Sequence, residues 1–156
     1  MRLRFLCQNH RTWLESDGRA ANDSWLHNYD LAERFLHDRE DVKAVNYAGC
    51  SLEVAELLIF AHARSSSLDI IRFTDSAILL CRSLIRVGQS SLVRSVIGGV
   101  MVRMEELLSR GAEREIVLGG CQRLLTLPEQ AELADEEWGG KLVDRESSAL
   151  PRWALH

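Results

Sequence analysis

Histidine, cysteine and carboxylate side chains are the groups that could do chemistry in this chain, and their spacing decides whether they can act together. The five histidines are His10, His27, His37, His62 and His156. No His-x-x-x-His or His-Glu-x-x-His pair is present, and His27 and His37, the nearest two, stand ten residues apart. A metal centre or an acid–base pair would have to gather its groups from distant segments. The four cysteines, Cys7, Cys50, Cys81 and Cys121, show no Cys-x-x-Cys spacing. Three of them fall in apolar helical stretches, where a reduced thiol packs as a small hydrophobe. On this reading there are no catalytic residues, no metal ligands and no cofactor. A small all-α enzyme is left as the third functional alternative.

Two glycine pairs, Gly98-Gly99 and Gly119-Gly120, bear on phosphate binding. Neither follows a strand pattern nor precedes the lysine of a nucleotide loop. Each glycine inside a helix costs about 1 kcal/mol relative to alanine. A close helix–helix crossing is the first explanation, and a notch that receives a partner's side chain is the second.

Charge is unevenly spread. Between Leu57 and Met104 stand Arg64, Arg72, Arg82, Arg86, Arg94 and Arg103, against only Asp69 and Asp75. Such a basic stripe could track phosphates or dock an acidic protein. Residues 127–146 hold seven acidic side chains against Lys141 and Arg145. That acidic run could strap across the basic face, with Trp153 as an apolar pin. Of the 19 basic residues only Lys43 and Lys141 are lysine, which reads as codon bias of a GC-rich bacterial genome.

The elements that must position these groups are helical. The only prolines are Pro128 and Pro151, so nothing upstream is a hard helix breaker. Apolar residues recur at three- and four-residue steps throughout. The spacing predicts a first helix over residues 3–15, and a second capped by Asn22 or Asp23. A third stretch, from Asp41 to about Arg64, is one helix or two divided at Gly49. A fourth runs from Leu68 to Val87, a fifth from Ser90 to Arg110 and a sixth from Ala112 to Leu127. Gly88 and Gly111 stand where helices end on a left-handed residue. Short connections make the fourth, fifth and sixth helices antiparallel neighbours. The fourth and fifth, apolar on nearly two faces, are expected to form the central layer.

With 156 residues, 46% of them hydrophobic, 27% charged, and a net charge of −4, the composition is that of an ordinary globular domain. The basic start of the chain runs into Gln8, Asn9, His10 and Arg11, too soon for a signal peptide, and no apolar run reaches bilayer length. The expectation is an all-α cytoplasmic protein with no membrane contact. Its fold would be an antiparallel helical bundle or short α-solenoid of about six helices. Residues 1–127 would form a single helical domain, and residues 128–156 an acidic and apolar tail able to dock on it.

Antiparallel helix pairs of these lengths between residues 41 and 127 resemble tetratricopeptide-like and other α-solenoid domains. Small helical chaperones and adaptors of bacterial secretion systems are similar in outline. The resemblance is one of architecture: Trp25-x-x-x-Tyr29 lacks the tetratricopeptide spacing, and no 34-residue repeat is present. It implies a groove that receives peptides.

The first functional reading is therefore a helical protein–protein interaction module, an adaptor, chaperone or regulator of a secretion or signalling system. Its partner would be another protein or peptide, or a second copy of the chain. The expected contact residues are Trp25, Tyr29, Phe73 and Trp153, with Arg72, Arg82 and Arg86 as charged partners. A nucleic-acid-binding transcriptional regulator using the arginine face is the second reading.

Overall fold

The computed structural model describes residues 3–63 and 66–127. The predicted tail and its Trp153 lie outside the described residues. Among the described residues six helices follow one another: α1 (Gln8–Ser16), α2 (Gly18–His37), α3 (Asp41–Phe60), α4 (Ser67–Arg86), α5 (Ser90–Ser109) and α6 (Arg114–Leu125). No strand occurs among the described residues. The fold is all-α.

Local chemistry sets several of the boundaries. The Asp17 carboxylate accepts from the Arg19 and Ala20 amides, both at 3.0 Å, and so starts α2. The cap thus lies five or six residues before the one expected at Asn22 or Asp23, because Asp17 caps first. Ser66 caps α4 by accepting from the Asp69 amide. Gly88, at φ 73°, and Gly111, at φ 85°, take the left-handed turn after α4 and α5.

The helices stack in a strip. Arg72 of α4 donates to Asn22 of α2, Trp25 donates to Ser76, and Arg86 donates to the Leu36 carbonyl. These three links, met in the same order along both chains, make α2 and α4 parallel. Ser67 likewise bonds Glu113 and Arg123 bonds Asp75, so α6 runs parallel to α4. α2, α4 and α6 form one layer. α3 packs on α2 and α4, and α5 packs on α4 and α6.

The centre of this strip is α3 with α4, a correction to the expectation of α4 with α5. Eleven residues are buried in α3 and eleven in α4, against six in α5. Leu58, Ile59, Ile70, Phe73, Leu80 and Leu84 are among the largest fully enclosed side chains. Several apolar positions of α5 remain half-buried or exposed, Val102 most of all.

One further departure and one alternative left open by the sequence meet at the same contact. The predicted helix over residues 3–15 begins only at Gln8, and Leu3–Cys7 is a non-helical strap. α3 is one continuous helix, and Gly49 does not divide it. A Cβ at Gly49 would lie 2.3 Å from the Phe5 ring, so glycine is there to let the strap lie on α3. The contact spans more than forty residues of sequence, out of reach of local periodicity.

Candidate functional site

The residues expected to bind a partner separate into two environments. Trp25 is 8% exposed, stacks on Tyr29 at 5.3 Å and carries the Arg72 guanidinium over its ring at 4.7 Å. These side chains form the seam between α2 and α4. Burial, then the nearby Glu33 and Asp75 carboxylates, pushes the Tyr29 hydroxyl up to about 12. It stays a neutral phenol at any physiological pH. Arg82 is exposed beside this seam. Arg86 is used internally, bonding the Leu36 carbonyl at 2.6 Å and Asp41 at 2.9 Å. It ties the end of α2 and the start of α3 to α4.

Phe73 is 2% exposed and belongs to the interior, where sequence reading placed it at a contact surface. Its ring nevertheless reaches the floor of a cavity that sequence reading did not locate. α3 and α5 lean apart over α4, leaving a cavity of about 410 Å³. Phe73 and Leu80 of α4 make its floor. Gly49, Leu52, Glu53 and Glu56 of α3 form one wall, and Ser95, Val96, Gly99, Val100, Val102 and Arg103 of α5 form the other. Leu3 and Phe5 of the strap enter it from one end.

Gly99 lines this cavity, and its neighbour Gly98 is exposed. A Cβ at either would meet nothing within 4 Å, and the same holds at Gly119. The expected close helix crossing is therefore absent at all three. Only Gly120 fits that explanation, since its Cβ would lie 2.7 Å from the Thr74 hydroxyl. Gly99 leaves the α5 wall open at the level of the apolar lining.

The rim is charged and cross-braced. Arg103 donates to Glu56 at 2.6 Å and to Glu106 at 2.8 Å, and its guanidinium lies over the Phe60 ring at 4.7 Å. These charge-assisted bonds fix the α5 rim against the end of α3. Arg103 holds the Glu106 carboxyl below the usual carboxylate range. Glu53 behaves in the opposite way. Burial raises its carboxyl, although the Phe5 amide, Arg11 at 3.5 Å and the Leu6 amide all favour the charged form. An apolar trough with a few convergent polar groups is the usual form of a ligand site, and its volume lies in the range of such sites.

The reactive side chains are dispersed. Burial pushes the Cys50 and Cys81 thiols up to about 12, which removes them as nucleophiles. His62 lies with Nε2 2.8 Å from the Leu14 carbonyl and its ring against Gly18, a packing role. Among the described residues no three His, Cys, Asp or Glu side chains are grouped so as to hold a metal ion. Nor is any helix among them long and apolar enough to cross a membrane. Of the arginine stripe, Arg72 and Arg86 are bound at the α2–α4 seam and Arg103 at the opposite groove. These three arginines do not share one face. No protein-family model, no curated protein and no solved structure matches the chain.

Proposed function

We propose that the protein is a helical binding module that receives an apolar segment of another polypeptide in the groove between α3 and α5. The observation that carries this reading is the open apolar trough of about 410 Å³, with Val102 64% exposed at its lip. An apolar side chain left at the mouth of a pocket gains favourably when a partner covers it. The walls are two twenty-residue helices held apart over a packed floor, so the site needs no folding on binding. An adaptor, chaperone or regulator in a bacterial cytoplasm would use such a groove, with a protein or peptide as its partner.

The test uses a photoreactive benzophenone side chain in place of Val102 in the full chain, expressed in the native cell. Irradiation should trap a second polypeptide. Gly99→Leu puts a bulky side chain into the groove from a position whose Cβ meets nothing within 4 Å, and it should abolish the adduct. An adduct that survives Gly99→Leu, or no adduct at all, contradicts the reading.

A further inference from the structure

The groove already holds a length of polypeptide, and the way it does so states what kind of segment fits. Leu3 and Phe5 line the cavity while Arg4 between them is exposed, the alternation of an extended chain. The Phe5 ring lies directly on the bare backbone of Gly49, and the Phe5 amide donates to the Glu53 carboxylate. The Phe5 carbonyl stands 3.8 Å from the Cys50 sulfur, whose thiol is placed to donate to it. One face of α3 therefore reads both the side chain and the main chain of a single aromatic residue. Leu3 and Phe5 border the cavity without filling it, so a longer or bulkier segment has room beside them.

We propose that the partner segment is an extended peptide with an aliphatic residue two positions before an aromatic one, Leu-x-Phe in type, and that Leu3–Phe5 is its built-in competitor. This rests on the groove being the binding site. The strap belongs to no helix, so its release breaks only its own contacts. Main-chain recognition beside an aromatic pocket is a known mode of peptide capture. Gly49 is the selectivity element, since any side chain there takes the space of the ring. A strap that fills the seat in the free protein weakens apparent affinity by the fraction of molecules left open.

The experiment is a fluorescence-anisotropy titration with a labelled peptide of residues 1–8 whose Cys7 is replaced by serine. It is added to the full chain as wild type, as Phe5→Ala and as Phe5→Ala with Gly49→Ala. The peptide should bind Phe5→Ala at least about tenfold more tightly than wild type, because the competitor has lost its anchor. Adding Gly49→Ala should remove that binding, and so should alanine in place of the peptide's own phenylalanine. If Phe5→Ala lacks the helical circular dichroism of the wild type, Leu3→Ala serves in its place and should give the same order. Equal binding to wild type and Phe5→Ala, or binding indifferent to Gly49→Ala, overturns the proposal. Preference of Phe5→Ala for an amphipathic helical peptide lacking Leu-x-Phe also overturns it. The adduct at Val102 reports on the groove separately, so loss of this proposal alone is distinguishable from loss of the site.

Discussion

α3 and α5 are both twenty residues long and both carry glycine in mid-helix, yet the protein uses them in opposite ways. α3 is enclosed by α2 and α4 and by the strap, and its glycine is pressed against an aromatic ring. α5 rests on α4 and α6 along one side only, and its two glycines face open space. The same residue type thus marks a filled contact in one helix and a vacant one in the other. Apolar content alone does not say which helix is the core; what matters is how many neighbours cover it.

Substitutions can break this contrast if it is wrong. The largest effect belongs to Leu58→Ala in α3, where 1% exposure leaves no route for relaxation. It should lose about 3 kcal/mol of unfolding free energy by chemical denaturation. Val102→Ala in α5 should change stability by less than about 0.5 kcal/mol, the ordinary range for a surface position. Similar losses at both sites would erase the distinction. Gly49→Ala comes next, at roughly 1–3 kcal/mol, as the new methyl displaces Phe5 from its seat.

The glycines of α5 should respond with the reverse sign. Gly98→Ala and Gly99→Ala should each raise the unfolding free energy by up to about 1 kcal/mol, read as a higher denaturation midpoint, because helix propensity improves and no atom lies within 4 Å of either Cβ. Destabilisation at either position would show that α5 is covered after all.

The smallest effect is a pH dependence. Burial raises the Glu53 carboxyl above its ordinary value of 4.5, so the folded chain binds the proton more tightly than the unfolded chain. Stability from this group is therefore full below the ordinary value and declines as pH rises through the folded one. Glu53→Gln should flatten that part of the stability–pH profile in denaturation series, and an unchanged profile would assign the titration elsewhere.

Much of this architecture was legible in the sequence. The three- and four-residue apolar rhythm located α4, α5 and α6 to within about two residues, the usual uncertainty of a helix end. Gly88 and Gly111 marked their ends because only a left-handed residue closes such turns easily. The strap was not legible, since its shape is set by Gly49 and Glu53, more than forty residues away. The groove was hidden for a related reason. Glu53 and Glu56 stand outside the apolar stripes that periodicity picks out, and the gap between α3 and α5 depends on how far the two lean apart over α4. Trp25, Tyr29 and Arg72 come together packed on one another at the α2–α4 seam. A signal for the groove did exist in Gly98-Gly99, a helix-weakening pair with no turn to serve.

The most direct measurement compares the two faces in one experiment. A benzophenone side chain is placed in the full chain either at Val102, beside the groove, or at Leu26, 52% exposed on α2. After irradiation in the cell, adducts with a second polypeptide are quantified for each. Strong trapping at Val102 and little at Leu26 is the predicted result. Trapping confined to Leu26 would move the binding surface to the opposite layer and contradict the account.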